Sequence, residues 1–243
     1  MSNIVIIPAR YASVRLPGKP LLAETGLPLI VHVVQAVKGA KSIDRVVVAT
    51  DDERIAAAVR GAGGQAVMTR ADHTCGTDRL AETADILNLA DDDIVVNVQG
   101  DEPDIPPSLV DELVSLVTTT GCPMATLCTP MSAAEAADPN KVKVVFSDAG
   151  RALYFSRAKI PHQRDLAGPA AKHYLHIGIY AYRVNFLKTF SKLPPAKLER
   201  VEKLEQLRAL ENEYPIAVKP VRYDGVGIDT PEDYAAFVAR RKA

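Results

Sequence analysis

Three cations fall within ten residues in the segment Pro8-Ala9-Arg10-Tyr11-Ala12-Ser13-Val14-Arg15-Leu16-Pro17-Gly18-Lys19-Pro20-Leu21. Fixed groups such as Arg10, Arg15 and Lys19 neutralise a polyphosphate and the charge that grows on a leaving pyrophosphate. Gly18 permits close backbone approach, and the prolines restrict the loop. On spacing alone a solvated basic loop explains these residues equally well. Far downstream, Ile94-Val95-Val96-Asn97-Val98-Gln99-Gly100-Asp101-Glu102-Pro103 is an apolar strand breaking into a polar turn, with Asp101 at its carboxyl end. A carboxylate there suits Mg²⁺, which takes one or two carboxylates and completes its shell with phosphate and water oxygens. Asp229, just ahead of Thr230-Pro231, is the candidate second ligand; capping a turn and favouring a helix dipole are the alternative roles of the two aspartates. A third segment, Met68 to Asp78, joins a strand to a helix whose first amides can donate to a ligand.

The elements that must position these residues alternate along the chain. Short β-branched runs predict strands at Ile4–Pro8, Arg45–Thr50, Gln65–Thr69, Ile94–Gln99, Met124–Pro130, Lys141–Ser147, Leu153–Phe155, Leu175–Tyr182 and Ile216–Val221. Helical patterns lie at about Leu29–Lys38, Asp52–Ala62, Asp78–Leu89, Pro107–Thr119, Ala133–Ala137, Glu199–Asn212 and Pro231–Arg241. Such alternation predicts an α/β fold, a mainly parallel Rossmann-like sheet with helices on both faces. Ligands of such sheets bind at the carboxyl ends of the strands, where the cationic loop and Asp101 both fall. Residues 141–195 form a strand-rich excursion expected to cover the site and to make a dimer contact, and a single domain over 1–243 is the simplest organisation.

Three motifs are excluded by context. Gly61-Ala62-Gly63-Gly64-Gln65-Ala66 fits a dinucleotide fingerprint, but a helix precedes it and a strand follows, the reverse of what that motif needs. Leu16-Pro17-Gly18-Lys19-Pro20 ends like a phosphate loop, yet Ser13 replaces its first glycine and Pro20 its metal-binding hydroxyl. Asp91-Asp92-Asp93 precedes its strand, at the wrong end for chemistry. Composition narrows the class further. The 243 residues are 47% hydrophobic and 24% charged with net charge -1, so no basic field invites nucleic acid. Three cysteines, Cys75, Cys122 and Cys128, suit a reducing compartment and give no zinc or disulfide framework. The start lacks the pattern of a signal peptide and no apolar run spans a bilayer, so a cytoplasmic protein with no membrane partner is expected.

The cationic segment as a whole, P-A-R-Y-x-S-x-R-L-P-G-K-P-L, resembles the signature of the nucleotide-activating sugar synthetases, in particular the 3-deoxy-manno-octulosonate (KDO) cytidylyltransferases. Further blocks resemble that family in the same order. They are A-T-D from Ala49, M-T-R-A-D-H from Met68, G-T-D-R-L-A-E from Gly76, V-N-V-Q-G-D-E-P from Val96 and A-L-Y-F-S-R-A-x-I-P from Ala152. H-x-G-I-Y from His176, L-E-Q-L-R from Leu204 and D-T-P-E-D from Asp229 complete the set, which spans nearly the full chain.

The resemblance implies a GT-A-like nucleotidyltransferase fold, CTP and an acidic eight-carbon sugar as substrates, Mg²⁺ held by Asp101 and Asp229, and a homodimer. It implies catalytic roles for Arg10, Lys19, Asp101 and Asp229. Nucleotide contacts would come from Pro8, Ala9, Arg10, Ser13, Lys19, Arg70, Cys75, Gly76, Thr77 and Gln99. The family usually has serine where Cys75 stands, and a thiol donates more weakly than a hydroxyl. For the acceptor, Arg157 and Arg164 would hold the carboxylate. Arg15, Gln99 and His176 would bond hydroxyls, as would Glu202 and Gln206, one helical turn apart on a shared face. Another acid sugar, sialic acid or 8-amino KDO, is the nearest alternative acceptor. A GT-A glycosyltransferase needs a D-x-D at a strand's carboxyl end, which Gln99-Gly100-Asp101-Glu102 does not supply. A noncatalytic nucleotide-binding regulator is opposed by the complete set of cations and carboxylates.

Overall fold

The computed structural model describes residues 1–12, 16–73, 75–165, 167, 170–225 and 227–242. β1 (Asn3–Ala9) sends Ile4 and Ile6 into one core and Val5 and Ile7 into another, all four buried. Burial on both faces is what a central strand of a helix-covered sheet requires. The other strands are β2 (Arg45–Thr50), β3 (Gln65–Met68), β4 (Ile94–Asn97), β5 (Met124–Met131), β6 (Lys143–Phe146), β7 (Ala152–Ser156), β8 (His173–Arg183) and β9 (Ile216–Pro220). Among the described residues they make one nine-stranded sheet with the path β3-β2-β1-β4-β8-β5-β9, β6 and β7 branching from β8. Pairing is parallel from β3 to β4 and again between β5 and β9; β8 runs antiparallel to both its neighbours, β4 and β5. The α/β architecture expected from the alternation is present.

One face of the sheet packs against α1 (Leu29–Val37), α2 (Glu53–Gly61) and α4 (Pro107–Thr120), through residues such as Val33, Ile55 and Leu113. The other packs against α3 (Gly76–Ile86), α5 (Val184–Phe190) and α7 (Leu207–Glu211), through Leu80, Phe186 and Leu207. A small third core fastens α8 (Pro231–Lys242) to the cationic loop, Tyr234, Phe237 and Val238 meeting Leu16, Leu29 and Ile228. The Thr230 cap is formed: Asp233 N donates to Thr230 Oγ1 at 3.2 Å, and Thr230 N to Asp233 Oδ2 at 2.9 Å.

Two expectations are corrected. The helix over Glu199–Asn212 is instead α6 (Lys197–Glu202) and α7, because Lys203 sits in the left-handed region at φ 55 and ends the first piece. The helix over Ala133–Ala137 is a single 3-10 turn, Glu135–Ala137, whose Ser132–Glu135 capping hydrogen bonds do form.

Candidate active site

Parallel pairing in register, Ile6 beside Asn97, brings the carboxyl ends of β1 and β4 out side by side. The turn after β4 crosses closely over β1: a Cβ on Gly100 would lie 3.1 Å from the Pro8 carbonyl oxygen. That proximity puts Gln99 and Asp101 next to Pro8, Ala9 and Arg10. Gly18 turns the loop back at φ 67, with the Tyr11 ring where a side chain would stand. Lys19 then points inward. Its Nζ donates to Asp101 Oδ2 at 2.7 Å, to the Ile228 carbonyl at 2.8 Å and to Asp229 Oδ1 at 3.3 Å. Two carboxylates separated by 128 residues thus meet at one ammonium, and Arg10, Lys19, Gln99, Asp101 and Asp229 line a common cavity of about 460 Å³.

Asp229 is delivered by the irregular segment between β9 and α8, which is clamped onto the turn carrying Asp101. Ile228 N donates to the Asp101 carbonyl at 2.9 Å, and the Tyr223 hydroxyl donates to Glu102 Oε2. Burial pushes the Glu102 carboxyl up to about 7, against the Tyr223 hydrogen bond, with the charges of Asp101, Asp229 and Asp104 adding to the rise. Arg240 and Arg241 of α8 pair with Asp104 on the same turn, at 3.0 and 2.6 Å.

The amino end of α3 closes the opposite side. Gly76 lies against the Pro8 ring, and beside it a cavity of about 220 Å³ is lined by Arg10, His73, Cys75, Gly76, Arg79 and Gln99 among others. Cys75 precedes the first turn of α3 without a side-chain cap; its thiol donates to Glu205 Oε1 at 3.2 Å, and burial beside that carboxyl pushes it up to about 12. Thr77 donates to Glu205 Oε2 at 3.1 Å, so its hydroxyl serves a neighbouring cavity of about 200 Å³. Arg70 stays outside, pairing with Asp72 at 3.1 Å on the surface. The inward cation is Arg79, buried and bonded to Thr69, while His73 is pinned by Glu82. Sequence reasoning gave neither residue a role. The available signal was that Arg79 stands three residues after Gly76 and so shares its helix face.

The acceptor candidates separate. Gln206 lines the 200 Å³ cavity, but its expected partner Glu202 does not: past the break at Lys203, Glu202 accepts from Ser156 Oγ at 2.6 Å and Arg157 N at 2.9 Å. Glu205 occupies the cavity instead, its carboxyl raised by burial. The Arg157 guanidinium donates to the carbonyls of Glu202 and Pro139, at 2.7 and 3.1 Å. Arg164 is almost fully exposed on the loop between β7 and β8. His176 lines a large groove of about 1120 Å³ that also reaches Gln99, Asp101 and Asp229. Thr126 gives its one hydroxyl proton to the Ile179 carbonyl at 2.7 Å, so the contact at 3.0 Å has His176 Nε2–H donating to Thr126. Burial lowers the His176 pKa to about 3, which makes it a neutral hydrogen-bonding group and a poor base. Gln99 touches all four cavities and donates to the Gly178 carbonyl at 3.3 Å. Ser13 and Arg15 lie outside the described residues.

A sequence model of the family described as Cytidylyltransferase matches residues 4–219. A 3-deoxy-manno-octulosonate cytidylyltransferase of Syntrophobacter fumaroxidans is 54% identical over 240 residues, covering 98% of this chain and 96% of its own. An 8-amino-3,8-dideoxy-manno-octulosonate cytidylyltransferase of Shewanella pealeana is 49% identical over 243 residues, covering 99% and 98%. A solved structure of CMP:2-keto-3-deoxy-manno-octonic acid synthetase complexed with CTP superposes with a TM-score of 0.94 at 44% identity, over 100% of this chain and 99% of the other.

Proposed function

This chain belongs to the cytidylyltransferase family, and from that premise we propose that it transfers CMP from CTP to the anomeric hydroxyl of KDO, releasing pyrophosphate. The observation that carries this reading is the meeting of Arg10, Lys19, Asp101 and Asp229 in one cavity beside a second, polar cavity of about 200 Å³. The sugar oxygen bonds to the α-phosphorus as the bridging oxygen leaves with pyrophosphate, and the hydroxyl gives up its proton to solvent. Displacement of this kind needs positioning and charge neutralisation above all. Arg10 and Lys19 serve the triphosphate, with Pro8 and Ala9 beside them in the same cavity.

Asp101 and Asp229 would hold Mg²⁺. Their two carboxylates already converge on a single cation, the Lys19 ammonium, and this oxygen-only pair fits a metal that draws its remaining ligands from phosphate and water. When bound, Mg²⁺ supplies further neutralisation of the phosphate charge. The base is placed against Cys75, Gly76, His73 and Arg79, and the acceptor hydroxyls against Gln99, Glu205 and Gln206. Of the two arginines considered for the sugar carboxylate, Arg164 is favoured, since Arg157 already serves two backbone carbonyls. A role for Cys75 rests on its backbone, its thiol being held by Glu205.

We also place the protein in the cytoplasm as a homodimer, in line with the family resemblance; sedimentation of the 26.2 kDa chain at twice its mass is the check. Pyrophosphate release with CTP, KDO and Mg²⁺, set against UTP, sialic acid and 8-amino KDO, tests the activity. CTP with KDO should turn over fastest, and a preference for either other sugar would reassign the acceptor.

A further inference from the structure

We infer that Asn97 is a specificity-determining residue, its Oδ1 accepting a hydrogen bond from a hydroxyl of the acceptor sugar. β4 alternates its side chains, so Asn97 shares a face with Val95, among the buried Met124 and Tyr182. A strand on that face calls for an aliphatic residue. Asn97 is instead amidic, only 4% exposed, and its Oδ1 has no hydrogen-bond partner among the described residues. A buried carbonyl left unpaired is costly, and its retention calls for a partner that arrives from outside. Two other buried oxygens lack a hydrogen bond, on Asn3 and on Asp51, whose Oδ1 stands 3.5 Å from the Arg79 guanidinium, but neither residue lines a described cavity.

Asn97 does line one, the space of about 200 Å³ that it shares with Gln99, Tyr180, Glu205 and Gln206. The described lining of this cavity holds no lysine, arginine or histidine, so a carboxylate has no counter-ion there. It is rich in acceptors, and its complement is a group rich in donors. The hydroxylated tail of an acid sugar has that chemistry, whereas the carboxylate end must face the arginines elsewhere. This assignment rests on the proposed transfer to KDO.

The test is Asn97→Val, which keeps the strand's preferred branching and removes the unpaired oxygen, with Asn97→Ala as a second variant should the first not show native circular dichroism. The acceptor KM should rise about tenfold, the loss of roughly one hydrogen bond. The CTP KM should stay within twofold, and Tm should hold or rise by a few degrees. Among acceptor analogues each lacking one hydroxyl, one should lose about tenfold with the wild type and nothing with the variant. An unchanged acceptor KM, analogues that never distinguish the two proteins, or a fall in Tm with both KM values rising together would overturn the proposal. Failure of the wild type itself to convert KDO would instead sink the functional reading on which it rests.

Discussion

At the scale of single residues, the site is an electrostatic knot. Lys19 spends two of its three donors on the carboxylates and the third on the Ile228 carbonyl, so removing it takes a cation out of the cavity and lets Asp101 and Asp229 repel each other. Lys19→Ala and Asp101→Asn should each lower kcat by at least about a hundredfold, with native circular dichroism retained; turnover within threefold of wild type in either would refute the assignment. His176 gives a pH signature. Its pKa is about 3 when folded and near the ordinary 6.5 when unfolded, so acid protonates the unfolded chain first. Its contribution is complete above about pH 6.5 and is lost as pH falls toward 3. Tm should drop between pH 7 and 5, and His176→Gln should flatten part of that slope even as it lowers Tm at pH 7. The cations and aspartates were legible because their types carry their chemistry. Arg79 and Glu205 were not, because a buried arginine three positions into a helix and a glutamate beside a helix break declare themselves only through the cavities they face.

At the scale of elements, the described residues between β9 and α8 lie outside helix and strand and are held by their clamps to the Asp101 turn. Tyr223→Phe removes the donor that satisfies half-buried Glu102 and should cost about 1–3 kcal/mol in urea unfolding. It should also raise the Mg²⁺ concentration for half-maximal activity, since the loosened segment carries Asp229; an unchanged metal requirement would count against the clamp. Gly18→Ala meets the Tyr11 hydroxyl at 3.2 Å and its ring at 3.3 Å with an unfavourable φ of 67, and should reduce kcat/KM by displacing Lys19 next to it. Strand positions followed from β-branched runs, whereas the break between α6 and α7 did not. Glu199 to Asn212 contains neither glycine nor proline, and the turn at Lys203 is stabilised by tertiary contacts: Glu199 pairs with Arg208 across it at 2.5 Å. A local pattern cannot register a contact of that kind.

At the scale of the molecule, the site is assembled from both ends of the chain, so ligand binding should stabilise the whole. CTP with Mg²⁺ at about a hundred times Kd should add roughly 2.7 kcal/mol, raising Tm by about 5–10 °C. Asp229→Asn should shrink that shift, and an identical shift would separate Asp229 from nucleotide binding. The alternation of strands and helices announced an α/β sheet, but nothing local announced that β8 lies between β4 and β5, since spatial neighbours far apart in sequence leave no periodicity to read. That placement also governs how the chain can form on a ribosome. β5 emerges before the strand that must separate it from β4, so the unpaired edge of β4 waits through the synthesis of β5, β6 and β7. Residues 173–183 therefore act as the keystone: until they dock between β4 and β5, the strands that carry Arg10 and Asp101 and those that lead to Asp229 have no shared sheet to hold them in one register.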